Sequence, residues 1–147
     1  MSDSKVVISR LRELKCGDVN QIAALVSQLS RSAKPVSNDS LTQVLSDDRC
    51  LLFVARRNSD GFILGMLTLV VFYIPTGIRA WIEDVVVDEE SRGLGLGKSL
   101  TLHAIEKAKE LGAVSVDLTS RPSRLNANAM YQSLGFKLRE TNVYRYG

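Results

Sequence analysis

Val85-Val86-Val87-Asp88-Glu89-Glu90-Ser91-Arg92-Gly93-Leu94-Gly95-Leu96-Gly97-Lys98-Ser99 is the stretch on which the fold turns. Three β-branched residues close a strand, a polar turn follows, and three glycines at alternate positions lead into the apolar periodicity of a helix. Without a Cβ, a glycine lets the backbone come close to an anion. The first N–H groups of a helix lack internal acceptors and sit at the positive end of its dipole. A strand, glycine loop and helix in this order therefore read as a phosphate cradle. Arg92 and Lys98 add positive charge beside it.

Three kinds of anion loop share these ingredients. A Walker loop needs Gly-x-x-x-x-Gly-Lys-Ser/Thr; Gly97-Lys98-Ser99 supplies the end, but Arg92 stands where the first glycine belongs. A dinucleotide fingerprint needs Gly-x-Gly-x-x-Gly; after Gly93 and Gly95 the third glycine position holds Lys98. What remains is Arg-x-x-Gly-x-Gly, Arg92 to Gly97.

Outward from the loop, Arg79–Val87 reads as a central strand. Its two alternating rows, Trp81, Glu83, Val85, Val87 and Ala80, Ile82, Asp84, Val86, are both mainly apolar. Downstream, Leu96, Leu100, Ala104, Ala108 and Leu111 share one helical face, with Gly112 as the stop. Val114–Leu118 predicts a strand, Arg124–Ser133 a short helix closed by Gly135, and Phe136–Arg139 with Val143–Tyr146 a terminal pair of strands. Upstream, Val6–Leu14 predicts a first strand. Asp18 is placed to cap a helix starting at Val19, and a short helix follows over Ser40–Leu45. Cys50–Arg56 and Phe62–Tyr73 form an antiparallel pair around the turn Asn58-Ser59-Asp60-Gly61. The expected fold is α/β (α+β): one mixed, mostly antiparallel sheet of six to seven strands flanked by about four helices, with residues 1–147 as a single domain.

The chain has 147 residues, 45% of them hydrophobic and 24% charged, with a net charge of +3. That mild basicity lacks the clustering of a nucleic-acid binder. Phe62–Ile74, the longest apolar run, is too short to span a bilayer, so neither nucleic acid nor membrane is an expected partner. Cys16 and Cys50 read as reduced thiols of a cytoplasmic protein, and neither they nor His103 has metal-ligand spacing.

Arg-x-x-Gly-x-Gly after an apolar strand resembles the acetyl-CoA signature of the GNAT superfamily of N-acetyltransferases. Tyr131-x-x-x-Gly135-Phe136 is similar to the ending of that superfamily's last motif, and the Ile82-Glu83-Asp84 start resembles that of its glucosamine-phosphate and polyamine enzymes. The resemblance implies acetyl-CoA as acyl donor and no metal. It implies that Val85, Val86 and Val87 run beside the pantetheine arm and that amides of Arg92, Gly93, Gly95, Leu96, Gly97, Lys98 and Ser99 hold the pyrophosphate. It further implies that the strands around the motif splay to make a slot for the acyl end. Where many members carry an asparagine seven residues before the motif tyrosine, this chain has Arg124; Asn128 is the cofactor contact named in its place, with Asn126 also nearby.

Acyl transfer to an amine poses two proton problems. An alkylamine with a pKa of about 10.4 is mostly protonated at neutral pH, and neutralising it costs roughly 4–5 kcal/mol. The departing thiolate must then gain a proton. A carboxylate and a phenol suit these jobs. Glu83 is the preferred base by resemblance to the polyamine enzymes. Asp84, expected on the opposite face of the strand, would orient the amine or brace the sheet. Tyr131 is the candidate acid. Arg121, Arg124 and Arg139 form a basic rim suited to the CoA 3′-phosphate or an anionic acceptor. The expected activity is direct acetyl transfer to the primary amine of a small molecule, an aminosugar phosphate or polyamine-like amine. A protein or peptide N-acetyltransferase and a non-catalytic acyl-CoA-binding module are the alternatives. A homodimer is allowed for, dimers being common in the superfamily.

Overall fold

The computed structural model describes residues 5–147. In chain order the elements are β1 (Val6–Arg10), α1 (Asp18–Leu29), α2 (Asn38–Ser46), β2 (Cys50–Arg57), β3 (Ile63–Ile74), β4 (Gly77–Val87), α3 (Leu96–Glu110), β5 (Ser115–Asp117) and α4 (Leu125–Ser133). The strands lie in the order β1-β2-β3-β4-β5; the first three pairings are antiparallel and β4–β5 is parallel. No helix among the described residues is long and apolar enough to cross a membrane.

Alternation along the strands divides the core in two. Leu51, Phe53, Ala55, Leu67, Leu69, Val71, Ala80 and Ile82 pack against Leu100, Ala104 and Ala108 of α3. The small alanines let α3 lie close on the sheet. On the other face Leu52, Val54, Ile63, Met66 and Val86 meet Ile22 and Leu25 of α1 and Leu41 of α2. The helix face read from the sequence holds from Leu96 to Ala108, but Leu111 lies past the helix end and is exposed.

α1 begins differently from expectation. Asp18 caps nothing: Gly17, at φ +88°, makes the turn, and Asp18 is the first helical residue. Its carboxylate receives two hydrogen bonds from the Arg56 guanidinium, at 2.9 and 2.8 Å, and one from the Lys15 amide at 2.8 Å. Burial alone would raise the Asp18 pKa, but these hydrogen bonds together hold it below the ordinary carboxylate value. The pair ties α1 to the end of β2, and Gln21 Oε1 adds a bond from the Ile63 amide at 2.9 Å. α2 has a reciprocal cap between Ser37 and Ser40, each hydroxyl accepting the other's amide at 3.0 Å.

Among the described residues the sheet has five strands, not six or seven. β1 stops at Arg10 rather than Leu14, and the strands expected at Phe136–Arg139 and Val143–Tyr146 do not form. Phe136 packs on the core. From Lys137 onward every residue is exposed and no backbone hydrogen bond is made. A strand preference is a fit to a pleated, half-buried surface and is realised only where an edge receives it.

Candidate active site

β4 carries the decisive irregularity. It pairs with β3 in register from Gly77–Ile74 to Glu83–Thr68, and again at Val86–Met66 and Val87–Gly65. One residue of β3, Leu67, therefore spans two of β4, Asp84 and Val85: a β-bulge. Asp84 sits at φ +52°, the only non-glycine residue with positive φ among those described. The extra residue reverses the side-chain alternation. Ala80 and Ile82 face α3 before the bulge, Val85 and Val87 face α3 after it, and Val86 lies in the opposite core. The two rows read from the sequence are thus broken at Asp84, and the expectation that Glu83 and Asp84 point to opposite faces loses its basis.

Both carboxylates are exposed, and neither has an ion-pair partner among the described residues. Partial burial and then the neighbouring Glu83 charge raise the Asp84 pKa, so the two groups sense one another. Glu83 is held by Trp81, whose indole Nε1–H donates to Oε1 at 2.6 Å. Trp81 was not singled out by sequence; its place two residues before Glu83 on the same strand face was the available signal.

β4 and β5 are paired only from Arg79–Ser115 to Trp81–Asp117. Beyond Trp81 the strands part, so the β4 edge that carries Glu83, Asp84 and Val85–Val87 has no strand beside it. Ser120, past the end of β5, has a buried Oγ with no hydrogen-bond partner. Tyr131 lies on α4, buried and edge-on to Phe136 with ring centroids 5.8 Å apart at 71°. Its hydroxyl bonds to nothing in the described chain, yet it is not among the sealed, unpartnered polar atoms, so it opens to solvent. Desolvation raises its pKa, with the Arg124 charge pulling weakly the other way.

At the far end of β4, a 3₁₀ turn over Glu89–Ser91 leads into the glycine loop. Gln28 of α1 fixes the approach: its Nε2 donates to Asp88 Oδ1 at 2.8 Å and its Oε1 accepts from the Glu89 amide at 3.0 Å. Gln28 was also missed in the sequence, where nothing local links it to residues sixty positions away. Gly93 and Gly95 have φ of +85° and +75°, and Gly95 caps α3. A Cβ built on either would touch no chain atom within 4 Å. These glycines serve a backbone conformation, and open space lies in front of them. No amide from Arg92 to Lys98 donates to an acceptor in the described chain; the first to do so is Ser99, to the Gly95 carbonyl at 3.0 Å. Such a run of unpaired N–H groups at a helix start, with left-handed residues alternating, fits an anion. Arg92 also borders an open cleft of about 500 Å³ with Gln28 and Arg31. At Gly97 the parts converge, since a Cβ there would stand 3.8 Å from Met130 Cε of α4 and 3.9 Å from Val87 Cγ2.

The chain belongs to the GNAT family of acetyltransferases. The model of that family, described as acetyltransferase (GNAT) family, matches residues 19–136. The chain is 32% identical over 144 residues to glucosamine 6-phosphate N-acetyltransferase of Trypanosoma brucei brucei, covering 94% of this chain and 95% of that one. Among solved structures, a putative acetyltransferase from Agrobacterium tumefaciens is 25% identical with a TM-score of 0.83, over 96% of this chain and 99% of its own. An acetyltransferase of Trypanosoma brucei is 26% identical with a TM-score of 0.79, over 97% and 99%. The protein is therefore an acetyl-transferring enzyme with an N-acetyltransferase fold. The family uses acetyl-CoA as co-substrate, and the unpaired amides of Arg92–Lys98 are suited to a pyrophosphate.

Of the residues named from sequence, Arg92, Gly93, Gly95, Leu96, Gly97, Lys98 and Ser99 form one loop and helix start, and Val85–Val87 lead into it. Asn128 is occupied on one side, its Nδ2 donating to the Arg121 carbonyl at 3.0 Å, where it braces the turn before α4.

Proposed function

We propose that the protein transfers the acetyl group of acetyl-CoA directly to the primary amine of a small molecule, foremost an aminosugar phosphate. The observation that carries this reading is the run of unpartnered amides from Arg92 to Lys98 at the end of a strand whose neighbour has splayed away. The cradle would hold the pyrophosphate, and the free edge of Val85–Val87 would align the pantetheine arm. An amide near the bulge, at Val85 or Val86, would polarise the thioester carbonyl, a fixed dipole aimed at developing charge.

Glu83 would take the amine proton directly or through a water. Trp81 occupies one of its carboxylate oxygens and leaves the other free for that task. Asp84 would orient the ammonium or amine beside it. Tyr131 would return a proton to the departing thiolate; its raised pKa keeps the phenol protonated throughout the neutral range. Acid and base on different elements allow transfer without an acyl-enzyme. The acceptor class rests on similarity to the trypanosomal glucosamine 6-phosphate enzyme and on the exposed Arg121, Arg124 and Arg139, which suit an anionic acceptor.

The test is thiol release from acetyl-CoA across glucosamine 6-phosphate, glucosamine, spermidine and an amino-terminal peptide. Highest kcat/KM on the phosphorylated sugar is expected. Turnover on the peptide alone would redirect the assignment to protein acetylation, and CoA binding with no turnover on any amine would overturn the enzymatic role.

A further inference from the structure

One part of the sheet belongs to neither core. On the face opposite α3, Val70 and Phe72 of β3 and Trp81 of β4 are half-buried, yet they join neither hydrophobic cluster. Register sets Thr68 beside Glu83, Val70 beside Trp81 and Phe72 beside Arg79. On the other flank β5 sets Ser115 beside Arg79 and Asp117 beside Trp81. Before the bulge β4 alternates strictly, so Arg79, Trp81 and Glu83 form one row, and the Trp81–Glu83 hydrogen bond runs along it. Arg79, half-buried at the end of the row, has no partner. Its Nε is buried and donates to nothing. It makes no ion pair among the described residues, although Asp117 stands on the next strand. A sealed donor without an acceptor is costly, and an acceptor brought by a ligand removes that cost.

We infer that the acceptor lies along this row, with its phosphate on Arg79, its sugar ring over Trp81 and its amine at Glu83. The inference rests on the aminosugar-phosphate reading above, and it assigns the phosphate to Arg79 rather than to the rim of Arg121, Arg124 and Arg139. Arg79 is the cation on the base's own strand face. The two ends of the row are four residues apart, about 13 Å along the strand, and two long side chains leaning inward shorten that gap to the scale of a hexose phosphate. A guanidinium fork matches phosphate oxygens bidentately. The indole offers a flat apolar surface to the C–H face of a pyranose while its N–H stays on Glu83. Asp117, beside the indole, accepts from ring hydroxyls. Opposite charges at the two ends fix the direction of binding, which delivers the amine to the bulge.

Trp81 is the only tryptophan in the chain, so its emission reports on the row directly. The full chain saturated with CoA, which has no acetyl group to give, is titrated with glucosamine 6-phosphate and with glucosamine. Calorimetry gives affinity and tryptophan emission gives position. The wild type is expected to prefer the phosphorylated sugar, with an emission change that saturates at the calorimetric Kd. Arg79→Gln is expected to raise that Kd about 10- to 100-fold, as for lost charge-assisted hydrogen bonds, and to leave the Kd for glucosamine unchanged. Arg79→Lys keeps the charge without the fork and should fall between. In turnover the Arg79→Gln loss should appear in KM for the phosphorylated sugar, with kcat retained. Unchanged CoA binding checks the folding of both variants. A loss shared equally by both sugars, or no loss, would overturn the inference and leave the acceptor class standing. So would saturable binding that leaves the emission unmoved. A wild type that binds no glucosamine 6-phosphate yet acetylates another amine would overturn the acceptor class itself, and the inference with it.

Discussion

Replacing Gly95 by alanine separates the two demands placed on the cradle. The residue holds φ +75° as the cap of α3, a conformation that costs an L-residue roughly 1–2 kcal/mol. No packing penalty adds to it, because a Cβ there meets no chain atom within 4 Å. Stability should thus fall only by that backbone term, about 3–6 °C in Tm for a chain of this size. Cofactor binding should fall further. Relief of the strain rotates the Gly95 and Leu96 amides away from the loop axis, and the new methyl occupies the open front. Losing one or two charge-assisted hydrogen bonds at about 1.5–3 kcal/mol in all raises Kd for CoA about 10- to 100-fold. Calorimetric titration with CoA measures that loss. Turnover with S-acetylpantetheine, which lacks the pyrophosphate, provides the control and should be unchanged. An unchanged Kd for CoA together with the lower Tm would show that the glycine serves the turn alone. An equal loss with S-acetylpantetheine would remove the pyrophosphate from the argument.

Glu83→Gln should lower kcat/KM about 100-fold near neutral pH, the usual worth of a general base, and the deficit should close as pH passes the acceptor's own pKa; a deficit that is constant with pH would refute the role. Tyr131→Phe should cut kcat while leaving the KM for acetyl-CoA in place, with no pH trend across the neutral range, and an unchanged kcat would end its claim as acid. Asp18→Asn should destabilise the fold by about 3 kcal/mol, since it strips the partner from Arg56 in a pair whose side chains are 16% and 2% exposed. The Asp18 pKa is lower folded than unfolded. Its stabilisation is therefore complete above the unfolded value of about 3.9 and lost as pH falls through the folded one. Urea unfolding from pH 7 to pH 3 should show this acid loss in the wild type and a flatter profile in the variant; parallel profiles would count against the pair.

The glycine loop and the helix after it were legible because their signals are local. Alternate glycines, a strand before them and a helical stripe after them all lie within one short stretch, and the structure sets the loop and α3 where that stretch puts them. The ends of the sheet were not legible. Val143, Tyr144 and Tyr146 have a strand's composition, but composition cannot supply an edge to pair with. Asp18 resembled a helix cap for the same reason: its actual partner, Arg56, lies thirty-eight residues away. Gln28 and its bonds to Asp88 and Glu89 were hidden in the same manner.

The bulge at Asp84 explains how two carboxylates can occupy a strand that is otherwise core. With strict alternation Asp84 would follow Ala80 and Ile82 beneath α3, next to Leu100, where an unpaired carboxylate costs several kcal/mol. Val85 and Val87 would meanwhile leave the α3 core they now help fill. One extra residue resolves both conflicts, because it returns the valines to the α3 face and leaves Asp84 exposed on the part of β4 that β5 does not cover. The left-handed φ of Asp84 is the strain that this arrangement requires, of order 1–3 kcal/mol. An aspartate tolerates that region better than the β-branched residues around it. The residue type proposed to orient the amine is therefore also one that the backbone accepts there. The same bulge leads β4 into the loop that Gln28 anchors, so the proposed acyl and phosphate ends of the site would both be set by one strand.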